Sequence, residues 1–116
     1  MSEVLPRTTS NPLQFKNGCA SGFSHVWANG QYCAIMTKAG IVGCGIYDLK
    51  TAAEFGQAIA IAKGTPAHPL VVPEDLLDAK IVDATPRAKE FGITIGMSGR
   101  EATELMLSAV DGDTRK

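Results

Sequence analysis

Residues 22–37 read Gly22-Phe23-Ser24-His25-Val26-Trp27-Ala28-Asn29-Gly30-Gln31-Tyr32-Cys33-Ala34-Ile35-Met36-Thr37. A period of two puts Phe23, His25 and Trp27 on one face and Ser24, Val26 and Ala28 on the other, the alternation of a β-strand. Asn29-Gly30 then supplies two residues that tolerate positive φ, as a tight hairpin turn requires. A second strand runs from Tyr32 to Thr37. Working outward, Leu13–Phe15 form an earlier run that starts at Pro12, and Asn17-Gly18 is its turn signal. On the other side, Lys38–Gly40 make a turn and Ile41–Tyr47 a fourth run. Four short runs punctuated by turn residues predict an antiparallel meander from Pro12 to Tyr47.

From Thr51 the apolar period changes. Ala52, Phe55, Ala58, Ile59 and Ala62 recur at near-helical spacing, Thr51 and Glu54 have the spacing of a capping box, and Gly64 is a stop. This predicts a helix from Thr51 to Gly64. Pro73 opens a short helical turn through Asp78, with Glu74 and Asp75 at its positive end. Ala79–Val82 read as a strand. Thr85-Pro86 is a cap followed by proline at the first helical position, and Gly92 closes that short helix. Ser98 and Glu101 form a second capping-box pair ahead of a final helix whose buried stripe is Ala102, Leu105, Met106 and Ala109. The predicted fold is α+β: an N-terminal antiparallel β-meander backed by C-terminal helices in a single domain. Residues 1–11 are expected to be a flexible arm, 12–110 the domain (12–47 β-rich, 48–110 helical) and 111–116 a flexible tail.

Charge is distributed unevenly. Lys38 is the one formally charged residue between Asn17 and Tyr47, whereas Leu49–Lys116 carry eight basic and ten acidic residues. Two longer helices cover one face of a four-stranded sheet and leave the other face with aromatic and β-branched side chains. Self-association through the β region is the expected remedy. The 116 residues carry 11 basic and 12 acidic side chains, a balance that argues against a nucleic-acid surface or a polybasic membrane anchor. No apolar run approaches the roughly 18 residues that span a bilayer, and residues 1–12 lack the apolar centre of a signal peptide. A cytoplasmic protein with three reduced cysteines is expected.

Three stretches carry a family resemblance: Gly43-Cys44-Gly45-Ile46-Tyr47-Asp48, Pro73-Glu74-Asp75-Leu76-Leu77-Asp78-Ala79, and Gly92-Ile93-Thr94-Ile95-Gly96-Met97-Ser98-Gly99-Arg100-Glu101-Ala102. Their order and spacing resemble the YunC-like family, a bacterial and archaeal domain of unknown function, over roughly residues 12–107. The resemblance implies a small α/β domain whose N-terminal β region mediates tetramerisation, so a homotetramer is the expected assembly. It implies no reaction, substrate or catalytic residue. Residues 62–69 depart from it, being longer than the glycine-valine connection expected there.

Candidate sites follow from residue chemistry. Cys44, between two glycines, is a possible thiolate nucleophile if a base such as His25 approaches it; its alternative is a small buried hydrophobe. Ser98, Gly99 and Arg100 open a helix, where free amides and a guanidinium suit a small anionic ligand; the same residues also read as a simple cap. Cys19, Cys33, Cys44, His25 and His68 lack the paired spacing of a zinc site, so no metal is expected. The glycines of residues 40–45 have the wrong offsets for a dinucleotide fingerprint and no Walker motif occurs, so no cofactor is expected. Two functions compete: a homo-oligomeric binding or assembly module, and a small enzyme using Cys44, with or without His25, for acyl or thiol chemistry.

Overall fold

The structure, a computed structural model, describes residues 5–45, 47–65, 67 and 69–112. The meander is present and forms the first part of a six-stranded sheet in the order β1-β2-β3-β4-β5-β6. The first four strands, β1 (Arg7–Phe15), β2 (Gly18–Trp27), β3 (Gly30–Met36) and β4 (Ile41–Gly43), are successive antiparallel neighbours. His25 pairs with Thr8 on one side and Tyr32 on the other. The turn before β4 is closed by the Thr37 hydroxyl, which accepts from the Ala39 and Gly40 amides at 3.1 and 3.0 Å. Two boundaries differ from expectation. The arm predicted over residues 1–11 is ordered from Arg7, because Arg7–Asn11 pair in register with Val26–Gly22; residues 1–4 lie outside the described residues. The fourth strand ends at Gly43 rather than Tyr47.

The helix predicted over 51–64 is two elements. Helix α1 (Leu49–Glu54) is capped by Asp48, not Thr51: the Asp48 carboxylate accepts from the Lys50 and Thr51 amides and from the Thr51 hydroxyl at 2.6 Å. Those bonds hold its carboxyl below the usual range, the Thr51 hydroxyl contributing most. The helix stops at Phe55, which is 72% exposed rather than on a buried stripe. Gly56 follows at φ +68°, a left-handed turn that carries the chain away. Residues Ile59–Lys63 are strand β5, parallel to β4, with Ile41 opposite Ile59 and Gly43 opposite Ile61. Alternating Ile and Ala side chains mimic a helical period here, but Ile59, Ala60, Ile61 and Ala62 are all buried, as in a strand covered on both faces.

The later elements fall close to expectation. A 3-10 helix spans Pro73–Leu77, and the Asp75 carboxylate accepts from the Val71 and Val72 amides. Strand β6 (Lys80–Ala84) pairs antiparallel with β5. Helix α2 (Pro86–Glu90) is capped by Thr85. Helix α3 (Gly99–Gly112) follows and is still helical at Asp111 and Gly112, where the tail was expected; residues 113–116 lie outside the described residues.

The sheet has two unequal faces. One is packed by the 3-10 helix, α2 and α3, and its core includes Phe15, Cys33, Ile35, Val42, Leu76, Ile81 and Met106. On the opposite face, α1 and Tyr47 cover β4 and β5, forming a smaller cluster around Ala52, Ile59 and Ile61. Neither cluster covers the outer part of β1–β3 on that face. There Trp27 and Met36 are both 42% exposed, and Phe23, His25 and Tyr32 are half-buried. Among the described residues, no helix is long and apolar enough to cross a membrane.

Candidate functional site

Strands β4 and β5 are the parallel pair of this sheet. Chains leaving the carboxyl ends of adjacent parallel strands diverge, and the crevice between them is a habitual ligand position. Here the chain leaves β4 through Cys44 and Gly45 and leaves β5 through Gly64 and Thr65. A cavity of about 440 Å³ lies between these exits, lined by Cys44, Gly45, Ile61, Lys63, Leu70 and Val82 among others. A second cavity of about 540 Å³ adjoins it through Lys63, Thr65 and Leu70, and reaches Glu74, Asp78 and Lys80. Both volumes are in the range of small-molecule sites.

The β4 exit, which contributes Cys44 and Gly45 to the crevice, is held against β3. The Cys44 amide donates to the Cys33 carbonyl at 3.2 Å, continuing the ladder one pair past Ala34–Gly43. Cys33 is fully buried and Cys44 is half-buried. Burial, reinforced by neighbouring Cys44 and then Asp75 and Glu74, pushes the Cys33 thiol up to about 12. Tyr47 folds back over Gly43: a Cβ at that position would overlap the Tyr47 ring, so the glycine is needed for this contact. Burial, then the charge of and a hydrogen bond with Tyr32, raises the Tyr47 phenol well above its ordinary value.

The expected site residues do not converge. Cys44 reaches the crevice, but from just beyond the strand rather than within it. His25 is not its partner: the imidazole Nδ1 lies 2.8 Å from the Thr8 hydroxyl, and the ring stacks on Tyr32 at 4.5 Å. Tyr32 meets Tyr47 edge-on at 6.0 Å. His25 and Tyr32 lie on the face of the sheet opposite to the one that Cys33 and Cys44 share, and no hydrogen bond joins His25 to Cys44. At the start of α3, the Ser98 hydroxyl accepts from the Glu101 amide and the Glu101 carboxylate accepts from the Ser98 amide, at 3.1 and 3.0 Å. The Gly99 amide donates to the Ala79 carbonyl. The expected anion position is therefore occupied by the protein's own carboxylate, and the Arg100 guanidinium lies 5.9 Å from the centre of the Phe15 ring. Cys19 is exposed and Cys33 buried, and His68 lies outside the described residues.

Sequence reasoning missed Lys63 and Lys80. They are directly opposite each other on β5 and β6, both exposed, and both line the larger cavity. Neither has a carboxylate within ion-pair distance among the described residues. Like charges across a strand pair repel. Their pairing was hidden because β5 was read as helix.

The profile of the family described as Domain of unknown function (DUF1805) matches residues 43–106. No curated protein matches the chain. Among solved structures, the chain is similar to a protein of unknown function from Thermoplasma acidophilum. The two are 19% identical, with a TM-score of 0.77 over 91% of this chain and 99% of that one. At that identity the likeness concerns the fold.

Proposed function

This chain belongs to the family of domains of unknown function designated DUF1805, and on that premise we propose that it is a homo-oligomeric module that binds a small anionic ligand. The observation that carries self-association is the open face of β1–β3. Register places Thr8, Ser10, Phe23, His25, Trp27, Tyr32 and Met36 on that face, none of them formally charged, and two of its large apolar side chains are 42% exposed. A tetramer is the assembly we favour, and the three free cysteines support a cytoplasmic setting.

Ligand binding belongs to the crevice at the ends of β4 and β5. Lys63 and Lys80 supply adjacent positive charge there, beside the carboxylates of Glu74, Asp75 and Asp78 that line the same cavity, and an anion between the two ammonium groups relieves their mutual repulsion. Ser98, Gly99 and Arg100 are less suited, since the Ser98, Gly99 and Glu101 amides at that helix start already have acceptors.

Light scattering on a sizing column tests the assembly. Wild type should run well above 12.2 kDa at micromolar concentration, and the double variant Trp27→Lys, Met36→Lys should run at that mass. A monomeric wild type defeats the proposal. Thermal melts with inorganic phosphate test the ligand class: stabilisation should vanish in Lys63→Ala, Lys80→Ala. One observation favours the enzymatic reading instead, namely that Cys44 opens onto a cavity. Rapid alkylation of Cys44 near neutral pH would support it, and a slow, ordinary thiol would end it.

A further inference from the structure

Two of the three cysteines occupy facing positions. Ala34 pairs with Gly43 across the antiparallel β3–β4 ladder, so the next pair outward is Cys33 and Cys44. The 3.2 Å bond from the Cys44 amide to the Cys33 carbonyl carries the ladder through that pair. Facing residues of a hydrogen-bonded antiparallel pair have Cα atoms about 5.5 Å apart and side chains on one face. That separation falls inside the roughly 4.4–6.8 Å window of disulfides.

Access is asymmetric. Cys33 is enclosed by the core, whereas Cys44 is half-buried and lines the 440 Å³ cavity. On Gly45, a Cβ would meet only Ile61, at 4.0 Å, so the approach beside the Cys44 backbone is open. Cys19 is separated from this pair: it faces Gln14 near the β1–β2 turn.

We propose that Cys33 and Cys44 are a thiol modification site, closed to a reversible cross-strand disulfide by a small hydroperoxide entering the crevice. Cys44 Sγ attacks the terminal peroxide oxygen. An S–O bond forms, the O–O bond breaks, and the thiol proton leaves with the departing oxygen as water or an alcohol. Cys33 Sγ then attacks Cys44 Sγ. The S–S bond forms, the S–O bond breaks, and hydroxide takes the Cys33 proton and leaves as water. Two thiols are oxidised and one peroxide is reduced. Side chains facing each other in a hydrogen-bonded pair sit farther apart at Cβ than disulfides prefer. The bond is therefore strained and easily reduced, which is the character of a reversible link rather than a structural one.

The test uses the full-length protein and hydrogen peroxide, read by intact mass, thiol titration and peptide mapping under denaturing conditions. The expected product is 2 Da lighter, titrates one thiol in place of three, and maps to a Cys33–Cys44 link. Dithiothreitol restores all three thiols. Cys19→Ser should behave like wild type apart from the missing thiol. Cys44→Ala should form no intramolecular link, and this half-buried position makes the variant a safe control for folding. Oxidation of Cys44 to sulfinic acid with Cys33 still titratable would overturn the proposal. So would a link running through Cys19, or three free thiols after treatment.

Discussion

Thr85 joins three elements through one hydroxyl, and its replacement by valine measures that junction. The side chain is 1% exposed. Its hydroxyl donates to the Gln57 carbonyl at 2.7 Å and accepts from the Ile59 amide at 3.1 Å and the Ala88 amide at 3.3 Å. It therefore caps α2 and holds the first residue of β5, the strand that forms one wall of the crevice. Valine keeps the shape and removes all three bonds. Losing a cap costs about 1 kcal/mol, and each buried amide left without an acceptor costs about 1–3 kcal/mol. Gln57 is exposed, so its carbonyl can turn to water and adds little. Because the Ala88 amide is the one the cap serves, the two costs overlap, and the expected loss is about 2–4 kcal/mol. With an unfolding entropy near 2.1 cal/mol/K per residue, that lowers Tm by roughly 8–16 °C. Urea and thermal unfolding of wild type, Thr85→Val and Thr85→Ser give the answer. Serine keeps the hydroxyl and should lose only about 1 kcal/mol for its missing methyl. A valine variant within about 0.5 kcal/mol of wild type, or a serine variant as damaged as valine, would refute the reasoning.

Gly43→Ala forces a Cβ into the Tyr47 ring and should cost about 1–3 kcal/mol, with a shifted Tyr47 ring resonance by NMR. Stability should also fall as pH rises through 9 to 12. The Cys33 thiol ionises near 9 when unfolded and near 12 when folded, so its contribution is complete below pH 9 and is lost across that window. The slope is at most about 1.4 kcal/mol per pH unit for this group. Tyr47, also raised, adds the same sign at higher pH. Urea midpoints at pH 8 and 10.5 should differ less in Cys33→Ala than in wild type; an unchanged difference would exclude Cys33 as the source. Ser98→Ala should cost about 1 kcal/mol by opening the capping box of α3, and an unaltered urea midpoint would show that Glu101 alone suffices.

The elements that were legible carry their signals within a few residues. Asn29-Gly30, Thr85-Pro86 and Ser98 with Glu101 act on backbone groups next to them, so turns and caps could be placed without knowing the rest of the fold. The stretch from Asn17 to Tyr47, with Lys38 its one formal charge, likewise marked in advance the region that now carries the open face. One misreading is local, the α1 cap, read at Thr51 and found at Asp48; the others occur where a distant partner decides. Arg7–Asn11 are polar and exposed, and only pairing with β2 makes them a strand. Ile59–Lys63 satisfy a helical period as well as a strand period, and their parallel partner β4 settles the matter.

Local chemistry therefore determined the meander, the capped helices and the lack of charge on the β region, because those depend on neighbours along the chain. Tertiary structure decided the parallel β4–β5 pair, the crevice at its carboxyl ends, the facing lysines and the facing cysteines. Each of these is a register between strands, and register is set by burying both faces of the sheet together.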